Sequence, residues 1–211
     1  MLSGLSIEWG DYDNDGDLDL LSAQAIIYNN TNGKLTAISE DPKSCYFSTW
    51  VDYDRDNDLD MVILDYDSAD IYQNNSGSFS LVDDSIDAAK YGSISWGDYD
   101  NDGDLDVLVS GECLHKIYRN DNGLFNDINA SLYAESSLES WSSNSKFIDY
   151  DNDGDLDTSW VGGSVGMPLF LGGVDYTTKI YQNHNSLFTE INKPFDDSNS
   201  GHLSWGDFDN D

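Results

Sequence analysis

Asp11-Tyr12-Asp13-Asn14-Asp15-Gly16-Asp17-Leu18-Asp19 is the stretch on which the reading of this chain turns. The same nine letters return at Asp98–Asp106 and Asp149–Asp157, and Asp52–Asp60 differs only by Arg55 and Asn57. A fifth copy starts at Asp207 and breaks off at Asp211. Carboxylates at alternate positions around a central glycine are what a hard cation needs to be wrapped by a short loop. Calcium takes about six to eight oxygens and tolerates irregular geometry, so such a run suits it better than magnesium.

Ligand roles follow from position. Asp11, Asp13, Asp15 and Asp19 are expected to offer side-chain oxygens, and Asp17 its backbone carbonyl while its own carboxylate faces water. The same order assigns Asp52, Asp54, Asp56, Asp58 and Asp60 to a second ion, and Asp98, Asp100, Asp102, Asp104 and Asp106 to a third. Asp149, Asp151, Asp153, Asp155 and Asp157 form a fourth set, and Asp207, Asp209 and Asp211 the cut-off fifth. Gly16 stands where the backbone reverses and calls for positive φ. Asn57 replaces it in the second loop, and asparagine tolerates the left-handed region. Leu18, Leu59, Leu105 and Leu156 are expected to turn away from the ion and anchor each loop in the core.

An EF-hand opens the same way but needs a bidentate Glu at position 12 and flanking helices. Position 12 here is Ser22, Ile63, Val109 or Trp160. Residues such as Leu105-Asp106-Val107-Leu108-Val109 read as a short strand. The loops therefore join strands.

A second block sets the repeat. Downstream of each loop come Ile27-Tyr28, Ile71-Tyr72, Ile117-Tyr118 and Ile180-Tyr181. Then follow Asn32-Gly33, Ser76-Gly77, Asn122-Gly123 and Asn185-Ser186, the residue types of a tight hairpin turn. Upstream of each loop stands Trp9, Trp50, Trp96, Phe147 or Trp205. One unit is strand, acidic loop, strand, connection, strand, turn, strand. Loop spacings of 41, 46, 51 and 58 residues with four strands per unit predict an all-β propeller of four-stranded antiparallel blades. The expected division is one repeat array over 1–211: blades at about 1–40, 41–86, 87–133 and 134–196, and a partial fifth at about 197–211.

With these loops at blade spacing, and with Trp9-Gly10, Trp96-Gly97 and Trp205-Gly206 ahead of them, the chain resembles the FG-GAP/VCBS-type calcium repeats. Those repeats build integrin α-subunit propellers and occur in many secreted microbial proteins. The Gly-Ala-Pro element of the family is absent, so the likeness is to its broader calcium-loop branch. The resemblance implies structural Ca2+ in an extracellular or cell-surface module for adhesion or for binding a protein or glycan. Propellers of this type commonly have more blades than four, which implies further blades of the same protein. A propeller domain of a secreted carbohydrate-active enzyme, or a lectin, is the alternative.

Charge agrees with the loops. Of 35 Asp, 23 lie in the five copies, and most of the net charge of −32 is ion-binding charge. Such a chain repels nucleic acid and anionic membranes, and no stretch approaches a membrane span. Met1–Leu5 lacks the pattern of a signal peptide. A start on a blade's first strand and a close inside a loop suggest a piece of a longer exported protein. An open arc of blades is then expected to expose Trp9, Tyr28, Phe188 and Trp205 on its end faces and to self-associate.

Other features weigh less. Cys45 and Cys113 occupy non-equivalent positions and are expected as thiols. Asn29, Asn74 and Asn129 head glycosylation sequons in a chain rich in Asn and Ser. Acidic loops and hairpin turns must share one face of an up-and-down blade. The opposite face carries the length variation, 8, 11, 11 and 23 residues from loop to Ile, and is expected to bind the ligand. The longest of these connections contains Gly162–Gly173, read as a protruding hairpin or lid. No catalytic residues are expected; His115, Arg119 and Tyr133 could serve a lyase, but each reads better as a surface or structural group.

Overall fold

A computed structural model describes residues 7–38, 45–88, 92–111, 114–130, 132, 140–165, 174–191 and 204–205, with side chains of 140–143 and 163–177 left out. Among the described residues every regular element is a strand. The first sheet holds β1 (Ile7–Gly10), β2 (Asp19–Ser22), β3 (Ile27–Thr31) and β4 (Lys34–Ala37). The second holds β5 (Phe47–Val51), β6 (Asp60–Leu64), β7 (Ser68–Asn75) and β8 (Ser78–Asp87). The third holds β9 (Ser93–Gly97), β10 (Asp106–Gly111), β11 (Leu114–Asp121) and β12 (Leu124–Asp127). The fourth holds β13 (Ser140–Ile148), β14 (Asp157–Val165), β15 (Val174–His184) and β16 (Leu187–Glu190). Each is an antiparallel meander in chain order, the blade form that the repeat predicts.

Local chemistry explains the meander. Each of the four described acidic loops joins the first strand to the second, and its last Asp is the second strand's first residue. The third and fourth strands are joined by two-residue turns with positive φ at both positions: Asn32 at 54° and Gly33 at 83°, Ser76 at 53° and Gly77 at 88°. That is the twist a two-residue hairpin requires, and Asn and Gly adopt it at least cost. Second strands β6 and β10 are apolar runs buried along their whole length, whereas β8 is largely exposed. In the fourth sheet, Gly162–Val165 pair with Val174–Thr177 and lengthen the β14–β15 ladder. The extension thus begins as continued hairpin; the rest of Gly162–Gly173 lies outside the described residues.

The chain divides into two compact units, Met1–Ala88 with Asn122–Phe125, and Ala89–Asp121 with Asn126–Asp211. In the first, the core lies between the first two sheets, where Tyr12, Leu21 and Ile27 meet Trp50, Met61 and Ile63. In the second, Tyr99, Leu108 and Ile117 meet Tyr181 and Phe188, with Phe147 and Leu156 packed against them. Burying each large side chain of this kind stabilises the fold by about 1.5–3 kcal/mol.

Two expectations need correction. Leu59 and Leu156 do pack into these seams, but Leu18 is 56% exposed. The loop alone does not bury this leucine; an adjoining sheet does. Phe188, expected on an exposed end face, is buried beneath Tyr99, 5.7 Å between ring centroids. Trp9 is 51% exposed as expected, while Tyr28 is half-buried. Trp205 stands edge-on to Tyr150 and donates its indole N–H to Ser159 Oγ at 3.0 Å.

Candidate metal centres

Each described acidic loop is a knot of backbone N–H groups held by its own carboxylates. The first Asp accepts from the N–H at position 6: Gly16 to Asp11 Oδ2 at 3.0 Å, Asn57 to Asp52 at 3.2 Å, Gly103 to Asp98 and Gly154 to Asp149 at 3.1 Å. The Asp at position 5 accepts from position 7, as Asp15 Oδ1 does from Asp17 N–H at 2.8 Å. Position 6 has positive φ throughout, including 73° at Asn57, as anticipated. Position 4 also lies in the left-handed region, at Asn14, Arg55, Asn101 and Asn152. The asparagines there carry that signal in the sequence; Arg55 does not.

The Asp at position 9 is the most buried. Asp19, Asp60, Asp106 and Asp157 are fully enclosed, and each takes two backbone N–H groups. One comes from the Tyr at position 2, at 2.9–3.3 Å. The other comes from an Asn on the third strand, at 2.7–2.9 Å: Asn30, Asn74, Asn120 or Asn183. The same Asn side chain donates to the carbonyl of the loop Leu, and Asn30, Asn74 and Asn183 accept an N–H from the hairpin turn. Loop and turn are thereby locked together on one end of the blade. This asparagine recurs in the sequence two residues after each Ile-Tyr, yet its role is visible only once the strands are paired.

Position 7 departs from expectation. Its carboxylate does not simply face water: Asp17 Oδ2 accepts the Asn32 N–H at 2.7 Å. Asp58 Oδ1 accepts Asn14 Nδ2 at 2.7 Å, and Asp155 Oδ1 accepts Asn101 Nδ2 at 3.0 Å. Position 3 is bound from the third strand, by Asn29 to Asp13, Gln73 to Asp54 and Gln182 to Asp151. In the third loop that place belongs to Arg119, which pairs with Asp121 at 2.7 Å.

Four carboxylate groups could each hold one cation, with ligand atoms within 4.8 Å of one another: Asp11, Asp13 and Asp15; Asp52, Asp54 and Asp60; Asp98, Asp100 and Asp106; Asp149, Asp151 and Asp157. His184 joins Asp153 and Asp155 in a further, more exposed group. Burial pushes Asp60 and Asp106 up to about 7, helped by neighbouring loop aspartates and opposed by the backbone N–H bonds. Asp19 and Asp157 are raised for the same leading reason. Burial and like charge therefore work against these anions wherever no cation balances them. Asp13 Oδ1 and Asp52 Oδ1 are buried and accept no hydrogen bond from the described residues. A cation bound by oxygen fits that donor set, and calcium fits it better than a metal that favours nitrogen or sulfur.

The remaining sequence candidates fall elsewhere. His115 is buried edge-on to Trp160 at 5.0 Å, and burial lowers its pKa to about 3, which favours the neutral imidazole. Arg119 lies on the surface. Cys45 donates its thiol to the Ala23 carbonyl at 3.0 Å. Asn74, at the head of a sequon, is fully buried and is no glycan acceptor in the folded blade. Tyr133, Cys113, Asp207, Asp209 and Asp211 lie outside the described residues.

Residues 52–109 match the family described as FG-GAP-like repeat, a span from the second acidic loop into β10. The resemblance read from the loops therefore holds. Among solved structures, the chain is similar to a lectin of Agrocybe aegerita, described for specific recognition of non-reducing terminal N-acetylglucosamine. The likeness has 16% identity and a TM-score of 0.50, and covers 86% of this chain and 49% of that one. The chain thus spans about half the length of that structure, and at this identity the likeness concerns fold alone. No match was found among curated proteins.

Proposed function

We propose that the chain is a calcium-stabilised propeller module of an extracellular or cell-surface protein, without catalysis of its own, that presents a binding surface to a protein or glycan. The observation that carries the calcium reading is the pair of buried carboxylate oxygens, Asp13 Oδ1 and Asp52 Oδ1, to which no described residue donates. Burying a charged oxygen without a partner is costly, and a cation at that point removes the cost. Asp11, Asp13 and Asp15 would hold the ion of the first loop. The aspartates at positions 1, 3 and 9 would hold it in the other three. Bound calcium supplies positive charge that ties the carboxylates of one loop together.

A glycan ligand is favoured over other small molecules by the lectin with a similar fold. The connections after the second strands, at the blade ends away from the acidic loops, are where we place recognition. They vary in length while the loops do not, and variable loops on a rigid scaffold are the usual seat of binding. Calorimetric titration with calcium and magnesium tests the metal. Expected are at least three sites filled at millimolar calcium, with Kd of about 10⁻⁴–10⁻³ M and clear preference over magnesium. Equal affinity for the two metals overturns the reading. A glycan and extracellular-matrix array probed with and without calcium tests the ligand.

A further inference from the structure

Within each unit the two acidic loops touch, and the asparagine at position 4 of one loop hydrogen-bonds to the other. Asn14 occupies position 4 of the first loop, between Asp13 and Asp15, with φ 58° and an exposed side chain. Its Nδ2 lies 2.7 Å from Asp58 Oδ1 and 3.4 Å from the Asn57 carbonyl, positions 7 and 6 of the second loop. In the other unit the same contact is built again. Asn101 Nδ2 lies 3.0 Å from Asp155 Oδ1 and 3.4 Å from the Gly154 carbonyl. Two separate blade pairs, 87 residues apart in the chain at Asn14 and Asn101, thus place the same amide on the same two residues of the next loop.

We propose that Asn14 and Asn101 are positioning residues that couple calcium binding between the two loops of each blade pair. The proposal rests on the calcium reading above and adds a regulation to it. An ion in the first loop fixes Asp13 and Asp15, and so fixes the direction in which the intervening Asn14 amide points. That amide restrains Asp58, whose own N–H is held by Asp56 Oδ1 at 2.8 Å and whose carbonyl is an expected ligand. The second loop then binds its ion with its apex already ordered, and less conformational entropy opposes binding. Linkage makes the effect reciprocal: the second ion raises the affinity of the first loop by the same factor.

The test follows individual loops in the full chain by NMR, reading the amide signals of Gly16, Asn57, Asp58, Gly154 and Asp155 through a calcium titration. Asp11→Asn weakens the first loop directly. In the parent chain it is expected to raise the calcium concentration that half-fills the second loop by a factor of about 5 or more. In an Asn14→Gly background the same change is expected to leave the second loop unmoved; glycine accepts the left-handed backbone and removes only the amide. The Gly154 and Asp155 signals should be untouched by either change and report that the second unit is folded. Asn101→Gly, combined with Asp98→Asn, is the independent counterpart for the other pair. A second loop that ignores Asp11→Asn in the parent, or responds equally without the Asn14 amide, overturns the coupling while leaving calcium binding intact. Amides that do not respond to calcium in any loop overturn the calcium reading itself, and the coupling with it.

Discussion

Between the first two sheets, Tyr12 lies on Trp50 with ring planes 4° apart; between the last two, Tyr99 lies on Phe147 at 8°. In both seams the residue after the first strand's aromatic is glycine. A Cβ built on Gly10 would stand 2.5 Å from Leu59 and 2.8 Å from the Trp50 ring, and one on Gly97 would stand 2.6 Å from Leu156 and 3.1 Å from Phe147. In both, an asparagine from the facing sheet donates to the carbonyl of the stacked tyrosine, Asn74 to Tyr12 at 2.6 Å and Asn183 to Tyr99 at 2.8 Å. What differs is how the edge of the first strand is covered. The Trp50 N–H donates to a carboxylate, Glu8 Oε2, at 3.1 Å. The Phe147 and Ser145 N–H groups donate instead to the hydroxyls of Ser95 and Ser93, at 3.2 and 3.0 Å. Shape is strict at the seam while the acceptor is replaceable, because a backbone donor asks only for an oxygen at the right distance.

Trp205 sharpens the contrast. It meets Tyr150 at 75°, edge-on, and the residue in the glycine position there is Ile148. A flat stack accompanies glycine, and a tilted one accompanies a β-branched side chain.

The comparison can be broken in order of size. Chelating calcium with EDTA should lower the melting temperature of both units together. Each loop loses about 2.7 kcal/mol of mass-action stabilisation relative to a hundredfold excess over Kd. A chain whose thermal melt is the same in EDTA and in calcium would remove the structural role of the ion. Next comes Asn74→Ala, which strands the buried Tyr12 and Leu59 carbonyls and the Gly77 N–H. A cost of about 3 kcal/mol is expected in denaturant unfolding. Asn30→Ala, whose bonds are more exposed and stay within one blade, should cost about 1 kcal/mol. Equal costs would show that the seam bond is unimportant.

Gly10→Ala should cost about 1–3 kcal/mol by overpacking, and more than Gly97→Ala, because the indole stands closer than the phenyl ring. The reverse order in urea melts would mean that Trp50 yields more readily than Phe147. The smallest effect is a gain. Ser76 holds φ 53° where the first and third hairpins have asparagine, so Ser76→Asn should stabilise by about 0.5 kcal/mol. No gain would show that the serine carries a compensating bond.

The expectation that the position-7 carboxylate faces water failed for an instructive reason. Nothing within nine residues reveals that Asp58 lies beside Asn14, 44 positions away. The asparagines of the third strands were likewise present in the repeat, but a side chain that bonds its own loop, its own turn and, at Asn74, a carbonyl 62 residues distant carries no local signature.

The amino-acid sequence by itself determined what depends on short spans. Alternating carboxylates, Gly or Asn at the reversal, Asn-Gly turns and short apolar runs dictate loops, hairpins and strands through φ preference and ligand chemistry within a dozen residues. Four near-identical loops made the blade repeat unavoidable. Tertiary structure alone decided which copies of a residue are buried. Leu18 and Leu59 occupy the same place in the same motif, yet among the described residues only Leu59 has a neighbouring sheet's glycine to pack against. Burial, stacking and loop-to-loop bonding are properties of pairs brought together by folding, so they belong to the packed blades rather than to any one repeat.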